Sequence, residues 1–134
     1  VMLSHVIYKN VDPYFPASLS SEMIQTLLRR QLGYQGLVIS DDLRMDAIRD
    51  YYPLDVSVVQ AVNAGVDVLL VTDNLEGRVM DSLVAAVRSG RIPMAVIDEA
   101  YGRILATKKK YGIIPRPTPA RAQAPGPLRL AQNP

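Results

Sequence analysis

Three short apolar runs recur at nearly constant spacing, and this recurrence limits the fold more than any other feature. The runs are Val1 to Ile7, Gly36 to Ser40 and Val66 to Val71. Each is nearly continuous rather than alternating, which favours strands covered on both faces, as in a parallel sheet. Helical patterns lie between and after them. The first is expected to begin at Ser20 as N-cap, with Glu22 in the first turn, to carry Met23, Ile24, Leu27 and Leu28 on one face, and to stop before Gly33. A second starts near Asp55, runs through Val56, Val59 and Val62, and ends at Gly65; a third starts near Gly77, carries Val79, Leu83, Val84 and Val87, and ends at Gly90. A last helix is predicted over Ile97 to Tyr111, with Ala100, Ile104 and Leu105 inward and Lys108, Lys109 and Lys110 at its C-terminal end, read as a solvated helix end rather than a phosphate site.

The resulting order is a βα repeat. With Ser4, Val38 and Leu69 as strand centres, the spacings are 34 and 31 residues. A (β/α)₈ barrel of about 250 residues allots roughly 31 to each unit. About three such units also fit a piece of an open doubly wound sheet, and spacing alone does not choose between the two.

Composition narrows the chemistry. There is no cysteine among the 134 residues, which excludes a disulfide framework, a thiolate nucleophile and thiolate metal sites. The 15 basic and 13 acidic residues are unevenly placed, because residues 113–134 hold Arg116, Arg121 and Arg129 and no acid. The body is therefore near neutral, and nucleic-acid binding has no support there. The same segment holds six of the ten prolines and is read as an extended, disordered tail following a domain over residues 1–112. No apolar run approaches the roughly 20 residues of a membrane span. A chain opening on Val1-Met2-Leu3, without an initiator methionine, is expected to derive from a longer polypeptide.

The sharpest local feature is Ser40-Asp41-Asp42, directly after the second apolar run. In parallel α/β folds the C-terminal strand ends face the ligand crevice, so a carboxylate there meets substrate while the sheet holds its backbone. Adjacent carboxylates on an extended backbone point to opposite sides, so Asp41 and Asp42 are expected to divide their work. One can face the axis while the other holds the loop Leu43-Arg44-Met45-Asp46; alternatively both are loop-capping acids. His5, the one histidine, either lines a ligand subsite or is a satisfied core histidine; Tyr8 and the Asp12-Pro13 loop are equally open. Asp67 lies at a strand start, away from the chemistry, and reads as structural. Asp73 and Asn74 follow the third strand and either contact ligand or form a turn with an N-cap. Met45 is expected to pack in its loop. No Gly-x-Gly-x-x-Gly and no Gly-Lys-Ser/Thr follows a strand, and one histidine with scattered acids supplies no metal cluster, so neither cofactor nor metal is expected.

The stretch Pro16-Ala17-Ser18-Leu19-Ser20, then Leu27 to Asp42 and on through Leu43-x-Met45, resembles glycoside hydrolase family 3, in particular its bacterial β-N-acetylhexosaminidase branch. The resemblance covers about residues 1–112 and includes Ala64-Gly65-Val66-Asp67 and Ile97-Asp98-Glu99 leading to Arg103-Ile104-Leu105. Ser-Asp-Asp-Leu-x-Met is its specific part; the β-glucosidase branch usually places Trp after the first Asp, and this chain has no Trp. The resemblance implies the C-terminal part of a (β/α)₈ TIM-type barrel that cleaves terminal β-linked N-acetylglucosamine with retention. It implies Asp41 as nucleophile, His5, Asp42 and Met45 as substrate-binding candidates, a carbohydrate partner and no cofactor. The acid/base of this branch resembles a Lys-His-Phe-Pro-Gly-His-Gly type loop from an earlier strand, and no such pattern occurs here. The missing N-terminal part of the barrel is thus a further expected partner. Two other readings stand beside this one: a truncated, non-catalytic remnant inactive alone, and a different α/β sugar-binding module sharing only the βα repeat.

Overall fold

The computed structural model describes residues 1–114. The expected tail lies, from Pro115 onward, outside the described residues. Three strands, β1 (Met2–Leu3), β2 (Ile39–Asp42) and β3 (Val68–Leu70), form a parallel sheet in the order β1-β2-β3. Parallel neighbours need crossover segments, and helices supply them. A 3-10 turn (Ala17–Leu19) and a π-helix (Glu22–Gln31) connect β1 to β2. A short α1 (Asp46–Arg49) and α2 (Leu54–Ala64) connect β2 to β3, and α3 (Glu76–Arg88) and α4 (Met94–Lys110) follow. No helix among the described residues is long and apolar enough to cross a membrane.

The core lies between the sheet and its helices. Leu3 and Val38 pack with Leu19, Ile24, Leu43, Ile48 and Val58, and a second cluster of Val62, Ala86 and Ile92 joins α2 to α3. Gly65 ends α2 at φ 108, a left-handed conformation open to glycine at low cost, as its placement after the last apolar position predicts.

Several expectations need correction. The first strand is far shorter than Val1 to Ile7: beyond Leu3 the backbone turns its bonds to the returning loop, with Ser4 O accepting from Ser18 N and Val6 O from Ala17 N, and leaves Val6, Ile7 and Tyr8 exposed. The second strand lies later than Gly36 to Ser40, so the two aspartates end the strand instead of following it. The first helix is wound to i→i+5 bonds, such as Leu32 N to Leu27 O. Ser20 nevertheless holds its start, since its Oγ accepts from Met23 N at 3.1 Å. Val56 and Val84, apolar positions of the expected second and third helices, are 44% and 40% exposed, because Val58, Ala61 and Ala86 take the buried positions of α2 and α3. On α4 no residue is fully buried, so Ala100, Ile104 and Leu105 are only partly covered.

One irregularity matters for the site. Ile39 pairs with Val68 but Asp42 pairs with Leu70, so three steps along β2 match two along β3. This is a bulge, which bends a strand and re-aims its side chains. Within it the Ser40 hydroxyl accepts the Leu70 N–H at 3.0 Å, replacing a backbone acceptor.

Candidate active site

The sheet is parallel, so the C-terminal ends of its strands lie on one edge. There the fold brings together His5 after β1, Asp41 and Asp42 at the end of β2, and Thr72 after β3. The two carboxylates are engaged very differently. Both oxygens of Asp42 are occupied: Oδ1 accepts from Arg44 N at 2.9 Å and Thr72 N at 3.2 Å, and Oδ2 accepts from the Thr72 hydroxyl at 2.7 Å. Asp42 therefore ties the β2 loop to the β3 loop. Asp41 accepts a single bond, from Asp42 N to Oδ1 at 2.9 Å, and its Oδ2 has no hydrogen-bond partner among the described residues. It is only partly buried.

His5 uses both ring nitrogens. Nε2 lies 2.9 Å from the Asp42 carbonyl oxygen and Nδ1 lies 2.7 Å from Ser18 Oγ. The Asp42 carbonyl also accepts Met45 N at 3.0 Å. Met45 itself does not pack in its loop: it precedes α1 and is 46% exposed, while the neighbouring Leu43 and Ile48 fill the core. Asp73 and Asn74 form a turn with φ of 66 and 53, and Asp73 accepts a long ion-pair contact from Arg44 Nε at 3.3 Å. Thr72, Ser18 and Arg44 were not singled out by the sequence; a hydroxyl two residues past a strand end was the available signal for Thr72.

Asp12 organises the loop beneath. Its Oδ1 accepts from Tyr14 N and Phe15 N, and its Oδ2 accepts from the Ser20 hydroxyl at 2.6 Å. Burial pushes the Asp12 carboxyl up, but these bonds outweigh it and hold the group below the usual carboxylate range. Asp42 behaves alike: burial raises it, and the Arg44 and Thr72 donors with the charge of an imidazolium at His5 bring it lower. Carboxyls depressed in the folded state stabilise the fold above their unfolded value, and that contribution fades as pH falls through the folded value. Urea midpoints should accordingly drop below about pH 4. The drop should be smaller in Asp12→Asn; an unchanged pH dependence would show that Asp12 does not couple to folding.

Asp67 lies at the opposite edge, before β3, with a fully buried carboxylate. It accepts from Arg29 Nη2 at 2.8 Å, Arg103 Nε at 2.7 Å and Val38 N at 2.9 Å. It joins the π-helix, α4 and the start of β2, which is a structural task. A cleft of about 1100 Å³ is on this side, lined by Tyr34, Gly36, Leu37 and Arg103, and includes none of His5, Asp41 or Asp42.

Fold and site together define a segment of a parallel βα layer presenting a carboxylate at its C-terminal strand edge, an arrangement suited to ligands in barrel-type folds. Residues 1–107 match the profile of the glycosyl hydrolase family 3 N terminal domain, and the chain belongs to that family. It is 40% identical over 74 residues to a beta-hexosaminidase of Nitrosomonas eutropha, covering 55% of this chain and 21% of the relative. It is 35% identical over 103 residues to a beta-hexosaminidase of Xylella fastidiosa, covering 77% and 30%. A glycoside hydrolase family 3 beta-N-acetylglucosaminidase from Paenibacillus superposes with a TM-score of 0.79 at 39% identity, over 98% of this chain and 24% of the other. The chain thus spans about a fifth to a third of the length of these relatives. Its parallel α/β fold corresponds to part of their TIM-barrel-like domain.

Proposed function

We propose that, within a complete barrel, this chain supplies the nucleophile of a retaining glycosidase acting on terminal β-linked N-acetylglucosamine. One observation carries the reading: at the strand edge where substrate binds in such folds, Asp41 keeps a carboxylate oxygen with no partner among the described residues, whereas both oxygens of Asp42 are committed to Arg44 and Thr72. A group that must form a bond needs an uncommitted lone pair, and a group that must stay in place does not.

The Asp41 Oδ2 attacks the anomeric carbon as the bond to the aglycone oxygen breaks, and that oxygen takes a proton from an acid carried by another part of the barrel. A water then attacks the same carbon, gives its proton to that group, and releases the Asp41 carboxylate with the sugar's configuration retained. The Asp42 N–H holds Oδ1 throughout, so Oδ2 is presented in one orientation. The names of the relatives support the N-acetylhexosamine part of the proposal.

The test is covalent trapping. A fluorinated N-acetylglucosamine analogue that forms the ester quickly and hydrolyses slowly should leave one sugar on the peptide containing Asp41. An adduct on Asp42 instead, or turnover with no adduct on either acid, would remove Asp41 from this role.

A further inference from the structure

Given the reading of Asp41 as nucleophile, on which this rests, we propose that His5 is a positioning residue that fixes the catalytic end of β2 through the Asp42 carbonyl, with Ser18 setting its tautomer. A carbonyl oxygen only accepts, so the 2.9 Å contact from His5 Nε2 requires a proton on that nitrogen. In the neutral ring Nδ1 is then the acceptor, and the hydroxyl of Ser18, which is fully buried, donates to it at 2.7 Å.

Residue 42 is held at every polar atom. Its carboxylate is tied to Thr72 and Arg44, its carbonyl to His5 and Met45, and its N–H to the Asp41 carboxylate. Of these ties, the one from His5 alone reaches across from β1. Because the Asp42 N–H is, among the described residues, the one donor that orients Asp41, a shift of residue 42 moves the nucleophile with it. The β2 bulge makes this tie more important, since it interrupts regular ladder bonding to β3 between Ile39 and Asp42, and the pairing with β1 ends at Ser40. Reactions between held groups lose on the order of 100-fold for a displacement of about 1 Å.

Glutamine and asparagine separate the two ring contacts. The Gln amide reaches the place of Nε2 and can donate to the Asp42 carbonyl, whereas the Asn amide reaches only the place of Nδ1, beside Ser18. In the complete barrel carrying this chain, His5→Gln should keep kcat within about 5-fold of the parent, and His5→Asn should lose about 10- to 100-fold with KM little changed. Rates are counted per site titrated by the fluorinated sugar, so unfolded molecules do not enter. A Gln-to-Asn ratio in kcat near one, at whatever absolute level, overturns the proposal. A measurement on the unsubstituted protein stands independently: long-range proton–nitrogen correlation at neutral pH should show the His5 proton on Nε2, and a proton on Nδ1 alone overturns it. Asp41→Ala in the same barrel keeps the two ideas apart. Full activity there defeats the nucleophile reading, whereas an inactive Asp41→Ala with equal His5→Gln and His5→Asn rates defeats only the role of His5.

Discussion

Replacing Asp41 by alanine in a barrel completed around this chain should lower hydrolysis of an aryl β-N-acetylglucosaminide by roughly 10⁴-fold or more, the scale of losing a covalent nucleophile. Stability should change little, because the Asp41 carboxylate makes one hydrogen bond among the described residues, worth about 1 kcal/mol, and is partly exposed. Added azide should restore turnover of a substrate with a good leaving group. The small anion occupies the space of the missing carboxylate and attacks the same face, so the product is the α-glycosyl azide, inverted at the anomeric carbon by a single displacement. Kinetics, a thermal midpoint and the product's configuration check the three parts. Turnover near the parent rate, or a β-azide, would contradict the assignment.

Asp67→Ala should have the largest effect on stability, about 3–5 kcal/mol. The carboxylate is fully buried and joins two guanidinium groups and a backbone N–H drawn from the π-helix, α4 and the start of β2. Removing it leaves Arg29, whose side chain is 10% exposed, with an uncompensated charge, and leaves the Val38 N–H unpartnered. Arg103 is less affected, being 24% exposed and also facing Glu99 at 3.5 Å. Chemical denaturation measures the loss. A change under about 1 kcal/mol would mean that the two arginines find water or other acceptors at little cost.

How much of this was legible depended on the kind of signal. The βα alternation, the end of α2 at Gly65 and the capping by Ser20 were readable because apolar periodicity and residue-specific backbone preferences act locally. The structural task of Asp67 was readable from its place at a strand start. The length of β1 was not, because Val6 and Ile7 have strand-like composition while the backbone partners of Ser4 and Val6, namely Ser18 and Ala17, come from a 3-10 turn whose return path is a tertiary matter. The buried faces of α2 and α3 do not follow the large apolar residues alone, since Val56 and Val84 are exposed while small residues, Ala61 and Ala86, are fully buried. At the site, adjacent acids suggested divided roles, and the loop-holding bond of Asp42 to Arg44 N is one of the alternatives foreseen. The Thr72 and Ser18 contacts were beyond reach, since hydroxyl residues are common and only the closed fold brings these two to the strand edge.

The uneven pairing of β2 with β3 bears on how this segment tolerates change. A substitution within Ile39–Asp42 leaves the number of residues between its two anchored pairs as it was. Loss of Ser40 would leave two steps on each strand, with Asp42 still opposite Leu70 but Asp41 moved opposite Leu69 without the extra residue that re-aims it. Composition can therefore drift at Ile39 alone, since Ser40, Asp41 and Asp42 are fixed by the bonds they make and the length of the stretch by the bulge.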